Sequence, residues 1–262
     1  MDKADEYEKL LRQAATWVAE SRHLVVSTGA GVSRESGIPT FREAGEGLWA
    51  NYDPQQLASV EGFLQDPKMV WEWYAWRRKK ISQVRPNPGH LALARLEGLV
   101  SHMTLITQNV DGLHQRAGSK RLIELHGNIT RVKCFGHCHE VYENWSDDDY
   151  EGEIPPRCKA CGSLLRPDVV WFGEQLPEKA LQKAFLLAEN CDVMLVVGTS
   201  GLIQPAASLP VIAGRAGARF IEVNPQPGMI SASADILLKG KSGEILPRLV
   251  ATVEQMKKNA AD

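Results

Sequence analysis

Short apolar runs alternating with helical patterns constrain the fold of this chain more than any other feature. Residues 193–197 (VMLVV) are wholly apolar, and glycine and small polar residues follow them directly. Strands buried on both faces and separated by helices are typical of a parallel, doubly wound sheet. We therefore predict an α/β fold of this kind. Its predicted strands are 23–28, 104–107, 121–125, 193–197, 219–223 and 235–238, and its predicted helices are 5–21, 90–100, 178–190, 205–214 and 243–258.

Two regions interrupt this alternation. Residues 45–83 contain four of the seven tryptophans and read as a helical insertion. Residues 128–166 contain four of the five cysteines, the acidic run SDDDYEGE and two adjacent prolines. We predict that this second region is a separate module held together by a metal.

Composition excludes some classes of function. A hydrophobic content of 44% and a net charge of −2 are ordinary for a soluble protein, so we expect no stable nucleic-acid binding. No apolar run approaches the roughly 18 residues that a membrane span needs. The charged N-terminal sequence has no apolar core of a secretory signal, and the cysteine count is odd. We therefore expect a cytoplasmic location, or another reducing intracellular compartment.

The clustered cysteines form two close pairs, CFGHC and CKAC. Nineteen residues separate the inner cysteines, and such pairs are typical of a closed structural zinc site. The first pair has three intervening residues where two are commoner, so His137 or His139 could replace one thiolate. We predict one structural zinc per chain, with the ligands Cys134, Cys138, Cys158 and Cys161.

Glycines and polar residues cluster where predicted strands end. The clusters are 29–31, 108–111, 126–127, 198–200 and 224–225. In an open α/β sheet these carboxyl ends form the ligand-binding edge, so together they predict a nucleotide-sized ligand. Each cluster alone could be only a tight turn with a helix cap.

The first cluster, STGAGVSRESGIPTFR, is an incomplete dinucleotide motif. Gly29 and Gly31 would let the backbone approach a phosphate at a helix N-terminus. Arg34 replaces the third glycine, and no acidic residue follows at the next strand end. The motif therefore gives little support to a dehydrogenase.

Two side chains at this edge are candidates for chemistry. His126 ends a strand beside glycine and could act as a general base, because the ordinary pKa of histidine is about 6.5. A strand-end histidine bonded to backbone is the alternative. Asp111 could be a helix N-cap or a ligand-binding carboxylate.

These motifs together resemble the sirtuins, the NAD-dependent protein-lysine deacylases. GAGVSRESGIPTFR, TQNVDGLH, HG, the paired cysteines, VVWFGE, GTS and VNP occur in family order and cover nearly the whole chain. The resemblance implies a large Rossmann-like domain (1–44, 84–127 and 167–262). It also implies a small domain made of the helical insertion (45–83) and the zinc module (128–166).

The resemblance also implies the site residues. His126 and Asn109 would be catalytic, and Asp111 would hold the nicotinamide carboxamide. The substrate backbone would pair with residues 169–174 as an added strand. The NAD-binding set would be Gly29, Ala30, Gly31, Ser33, Ile38, Phe41, Arg42, Gln108, Asn109, Asp111, Gly198, Thr199, Ser200 and Asn224. The substrate-binding set would be Tyr74, Arg77, Val169, Val170, Trp171, Phe172, Gly173 and Glu174.

The implied reaction transfers no hydride. The bond to nicotinamide breaks, the acyl oxygen of a modified lysine attacks ribose C1′, and His126 removes a proton from a ribose hydroxyl. Nicotinamide, O-acyl-ADP-ribose and free lysine are the implied products. Mono-ADP-ribosyl transfer to protein could use the same site. A non-catalytic NAD-sensing module is the third alternative, which the presence of both His126 and Asn109 disfavours.

The stretch WEWYAWRRKKI suggests which acyl group is removed. At helical spacing, Tyr74 and Arg77 project from the same face, which is otherwise apolar. A charge on such a face needs a partner, either an internal carboxylate or a ligand. Tyr74-Ala-Trp-Arg77 resembles the Tyr-x-x-Arg pair of the sirtuins that remove acidic acyl groups. Beside deacetylation, this implies desuccinylase and demalonylase activity. The neighbouring bases 78–80 are expected to be ordinary surface.

Overall fold

A computed structural model describes residues 3–38, 53–136, 138 and 140–260 of the chain. Phe41, Arg42, His137 and His139 lie outside the described residues, as does the first part of the predicted insertion.

The helices are α1 (Lys3–Glu20), α2 (Ala30–Arg34), α3 (Pro54–Leu57), α4 (Val60–Gln65), α5 (Pro67–Gln83), α6 (Pro88–Glu97), α7 (Leu113–Ala117), α8 (Glu178–Glu189), α9 (Leu209–Arg215) and α10 (Ser242–Asn259). The strands are β1 (His23–Thr28), β2 (His102–Thr107), β3 (Leu122–Glu124), β4 (Gly127–Cys134), β5 (Val141–Tyr142), β6 (Leu165–Val169), β7 (Val193–Val197), β8 (Arg219–Asn224) and β9 (Ile236–Lys239).

Six strands form a parallel sheet in the order β3-β2-β1-β7-β8-β9. Strand order reverses between β1 and β7, so the predicted doubly wound fold is confirmed. The sheet is buried on both faces. Helices α1, α6 and α10 contribute to the core on one face, and α8 and α9 contribute to the core on the other. The reversal leaves a crevice outside the ends of β1 and β7, where such sheets bind ligands.

The predicted helix over 205–214 divides into two pieces. A 3₁₀ turn covers Ala206–Ser208, and α9 then begins at Leu209. Pro210 lies in the first turn of α9, where the missing N–H of proline costs no hydrogen bond. The proline therefore suits the start of a new helix rather than the middle of a longer one.

The cysteine-rich region forms a second, antiparallel sheet in the order β5-β4-β6. Helices α3 to α5 lie beside it, and α5 is buried on two faces. Val70, Trp73, Tyr74 and Ile81 belong to one apolar cluster, whereas Trp71 belongs to another with Cys134 and Cys158. The exact domain boundaries given above stay a prediction.

A membrane-spanning helix needs a long, predominantly apolar segment, and the described helices differ from this. None of them combines sufficient length with sufficient apolar character.

Candidate active site

The loops that follow β1 and β7 touch at the crevice. Gly29 N–H donates to the Val197 carbonyl (3.1 Å) and Gly31 N–H to the Gly198 carbonyl (2.8 Å). A Cβ on Gly31 would lie 2.7 Å from that carbonyl oxygen, which is closer than real contacts allow. The glycines expected to admit a phosphate are therefore also required for this contact between loops. Ala30, the first residue of α2, and Ser200, in the loop after β7, are both exposed.

Side chains from three strand ends extend this edge. The Gln108 side-chain amide donates to Thr199 Oγ1 (3.4 Å), and the Asn224 amide donates to the Thr199 carbonyl (2.9 Å) and to Glu222 (3.1 Å). Both Asn224 N–H groups are thus used within the protein. Its amide oxygen is the atom that can accept a hydrogen bond from a ligand.

A buried network surrounds Ser33. The Asn109 amide donates to the Gly29 carbonyl and to Ser33 Oγ, both at 3.0 Å, and Ser33 Oγ donates to Asp111 at 2.6 Å. The other Asp111 oxygen accepts from Leu113 N–H at 2.9 Å, so Asp111 also satisfies the first N–H of α7, whose N-cap position is Gly112. Burial raises the pKa of Asp111, and these hydrogen bonds oppose that shift.

Two buried histidines support the network. His90 Nδ1 accepts from the Asn87 N–H, so its Nε2 carries the proton that faces Ser33 Oγ at 3.4 Å. His114 Nε2 lies 3.0 Å from Thr28 Oγ1, and the two rings are 4.8 Å apart. Burial lowers the pKa of His90 to about 4 and that of His114 to about 3, and in His114 the charge of His90 adds to the effect.

We expect these two histidines to make folding stability pH-dependent. Unfolded histidine has a pKa of about 6.5, so between pH 6.5 and 4 the unfolded state binds more protons than the native state. The free energy of unfolding should therefore decrease as the pH is lowered through this range, by about 1.4 kcal/mol per pH unit for each histidine. Urea unfolding from pH 7 to 4.5 measures this slope. His90→Gln should reduce it and the exposed control His102→Gln should not; an unchanged slope in His90→Gln would contradict this origin.

His126 lies between β3 and β4 and is half-buried. Its Nδ1 is 3.0 Å from the Gln108 carbonyl. A carbonyl can only accept, so Nδ1 carries the proton and Nε2 of the neutral ring keeps a lone pair. Burial lowers the pKa of His126, although the bond to Gln108 opposes this, and the ring is neutral at pH 7. Both alternatives raised above therefore describe this residue: it is bonded to backbone and it can accept a proton.

The expected substrate-binding segment continues from β6 in an extended form. Val170 N–H donates to the His126 carbonyl (2.9 Å), and Phe172 N–H donates to the Ala58 carbonyl (2.8 Å). Trp171 N–H donates to Glu174 (2.8 Å). Because these three donors are used internally, an added strand would have to pair at Gly173 or through carbonyl oxygens.

Glu174 is occupied within the protein. Its carboxylate forms two hydrogen bonds with the guanidinium of Arg166, which is buried and stacks on Trp171 at 3.3 Å. Arg166 also donates to the Val169 carbonyl (2.9 Å). Sequence reasoning missed Arg166, although a charge within the apolar run LLRPDVVW was a signal. The arrangement indicates that Glu174 holds the segment in place rather than contacting substrate directly.

Tyr74 and Arg77 lie together, as their spacing predicted. The Tyr74 hydroxyl accepts from Trp171 Nε1 at 3.0 Å and keeps its own proton for donation. Arg77 is half-buried as a residue, and its guanidinium lies over the rings of Trp73 (4.8 Å) and Tyr74 (5.7 Å). Burial lowers the pKa of Arg77, and the charge of Asp111 acts in the opposite direction. Arg77 and the carboxylate of the Ser33 network therefore interact electrostatically.

The expectation that residues 78–80 are ordinary surface is wrong for Arg78. Its side chain is 6% exposed and forms two hydrogen bonds with Asp147, at 2.6 and 2.8 Å. Arg78 follows Trp71 by two helical turns, so it shares the second buried face of α5. Helical spacing predicted only the other buried face of α5, which carries Tyr74. Lys79 and Lys80 are exposed, as expected.

Four cysteines form the candidate metal centre. The Sγ atoms of Cys134, Cys138, Cys158 and Cys161 all lie within 4.8 Å of one another. Neighbouring sulfurs are 3.4 Å apart, close to the roughly 3.8 Å expected for tetrahedral zinc with Zn–S bonds of about 2.3 Å. The donor set therefore fits zinc without a histidine. Cys191 is buried away from it, and burial raises its pKa to about 11.

Comparison with known proteins agrees with this geometry. The Sir2 family model matches residues 29–205. NAD-dependent protein deacylase 2 of Pyrobaculum aerophilum is 54% identical over 241 residues, covering 92% of this chain and 95% of the relative. A solved Sir2 homologue–NAD complex has a TM-score of 0.86 at 47% identity, covering 98% and 95%. Sir2 with a deacetylated p53 peptide and 3′-O-acetyl-ADP-ribose has a TM-score of 0.77 at 36% identity, covering 92% and 97%. The chain belongs to the Sir2 family, the sirtuins.

Proposed function

We propose that this protein is an NAD-dependent protein-lysine deacylase that produces nicotinamide, O-acyl-ADP-ribose and free lysine. The arrangement of His126 carries the proposal. The Gln108 carbonyl holds the proton of His126 on Nδ1. Gln108 directly precedes Asn109, whose side-chain amide belongs to the Ser33 network. The base and the polar pocket are therefore fixed to each other by adjacent residues of one loop.

Different residues of the site would bind NAD and accept the proton. Asn224 and Thr199 would bind the adenosine half of NAD, and the glycine loops would accommodate its phosphates. Asn109, Ser33 and Asp111 would orient the nicotinamide and its ribose, with Ile38 beside them. NAD supplies the electrophilic ribose carbon. His126 would accept the ribose hydroxyl proton at Nε2, which its lowered pKa leaves available at neutral pH.

The acyl-lysine side chain would enter between the 169–174 segment and α5. Tyr74 and Trp171 lie at this place and contact each other through a hydrogen bond. An acidic acyl group could there receive a hydrogen bond from the Tyr74 hydroxyl and a charged one from Arg77. We therefore extend the proposal to succinyl-lysine and malonyl-lysine, in addition to acetyl-lysine.

Lysine peptides carrying acetyl, succinyl, malonyl, glutaryl or long-chain acyl groups, incubated with NAD, test this function. Mass spectrometry should find O-acyl-ADP-ribose and free lysine, with succinyl and malonyl peptides among the substrates. ADP-ribose attached to protein, without O-acyl-ADP-ribose, would favour the transferase alternative. Binding of NAD without its consumption by any peptide would favour a sensing module.

A further inference from the structure

Helix α5 carries two consecutive arginines with different surroundings. Arg77 lies over Trp73 and Tyr74, near Asp111, whereas Arg78 faces the cysteine-rich sheet. Arg78 donates through Nε and Nη2 to the two oxygens of Asp147, at 2.6 and 2.8 Å. Its guanidinium also lies 5.0 Å over the Trp71 ring. A planar guanidinium bonded to both oxygens of a carboxylate fixes direction as well as distance.

Asp147 is itself held by the cysteine-rich module. Trp145 Nε1 donates to Asp147 at 3.1 Å, and Trp145 N–H donates to the Thr130 carbonyl of β4 at 2.9 Å. Trp145 also packs edge-on against Trp71 and Tyr142, at 5.7 and 6.5 Å. The Tyr142 hydroxyl in turn lies 3.5 Å from Cys158 Sγ. Asp147 therefore belongs to a fixed body that includes β4 and the four cysteines.

We propose that Arg78 is a positioning residue for acyl-group selectivity. Its ion pair with Asp147 sets the rotation of α5 about its axis, and so sets where Tyr74 and Arg77 point. Residues on one helix rotate together, so a rotation of α5 on loss of this ion pair would move Arg77 as well. Arg78 Nη1 has no hydrogen-bond partner among the described residues, so losing Asp147 leaves a buried charge that must shift to find solvent. This inference rests on the proposed removal of acidic acyl groups.

Asp147→Asn tests the proposal because it keeps the shape of the side chain and removes the charge. For succinyl-lysine peptide we expect kcat/KM to fall roughly ten-fold, mostly through a higher KM, while acetyl-lysine activity stays within about two-fold. The succinyl/acetyl ratio should therefore fall. Lys79→Ala, an exposed base on the same helix, is the matched control and should leave the ratio unchanged. Thermal unfolding and zinc content should confirm that each variant is folded.

A double variant separates the possible failures. If Arg78 acts through Arg77, then Asp147→Asn should lower the ratio no further once Arg77→Met is present. An unchanged ratio in Asp147→Asn, with a reduced one in Arg77→Met, would overturn the positioning role alone. An unchanged ratio in Arg77→Met would overturn the acidic-acyl assignment and this inference with it. If Asp147→Asn does not fold, Arg78→Lys, which loses the two-point geometry, takes its place. A wild-type ratio in that variant would equally overturn the proposal.

Discussion

Replacing His126 with alanine should lower NAD-dependent deacylation by roughly 100- to 10,000-fold, the factor that a positioned general base contributes. The alanine cannot accept the proton that Nε2 of the neutral imidazole accepts. The measurement is release of O-acyl-ADP-ribose from an acetyl-lysine peptide. Because the hydrogen bond from Nδ1 to the Gln108 carbonyl is also lost, thermal unfolding should be followed in parallel.

The matched control for this prediction is His102→Ala. His102 is an exposed histidine that stacks on His23 at the opposite end of the sheet, so its removal should not change activity. ADP-ribose binding, measured by calorimetry, should survive in His126→Ala because the glycine loops, Thr199 and Asn224 are untouched. Full turnover in a folded His126→Ala variant would remove the general base from the proposed mechanism.

Replacing Arg77 with methionine should lower succinyl-lysine activity by roughly 10- to 150-fold, the value of one charged hydrogen bond of about 1.5–3 kcal/mol. Methionine keeps an unbranched apolar side chain over Trp73 and Tyr74 but removes the charge. Acetyl-lysine carries no carboxylate for the guanidinium to bind, so its turnover should survive. The two peptides are compared by kcat/KM on the same enzyme preparation.

Lys80→Met provides the control for Arg77→Met, since Lys80 is an exposed base on the same helix. Its succinyl/acetyl ratio should equal that of the unmodified protein. Equal losses on both peptides in Arg77→Met would assign Arg77 a structural role, in which its interaction with Asp111 supports the nicotinamide side of the pocket. Tyr74→Phe should lower the same ratio by a smaller factor, because a neutral hydrogen bond is weaker than a charged one.

Sequence periodicity predicted the large sheet because its strands are short, apolar and bounded by glycine or polar residues. VMLVV and HLVVST could be recognised as strands without knowledge of their neighbours, because a strand that is buried on both faces is apolar at nearly every position. The clusters at the strand ends followed from the same reasoning, because the carboxyl ends of parallel strands lie at one edge. The spacing of the four cysteines in two close pairs likewise predicted that they form one metal site together.

The pairings that fix the site could not be predicted in this way. Asp147 lies 69 positions from Arg78, and Ser33 lies 57 positions from His90. Helical spacing showed that one face of α5 was apolar, but the second buried face became visible only once Trp145 and the small sheet were in place. Long-range charge pairs of this kind depend on which surfaces meet, and one chain's local pattern does not encode that information.

The anchoring of His126 to a main-chain carbonyl has a consequence for how this enzyme can be redesigned. The Gln108 carbonyl orients the base, while the side chain of the same residue reaches Thr199. Substitution at position 108 alters the side chain and leaves the carbonyl in place. The proposed nucleotide contact of the Gln108 side chain can therefore be varied in a library of substitutions while His126, the proposed proton acceptor, keeps its main-chain hydrogen bond. The orientation of His126 depends on the main chain of residue 108, whereas the contact with Thr199 depends on its side chain, so each can change without the other.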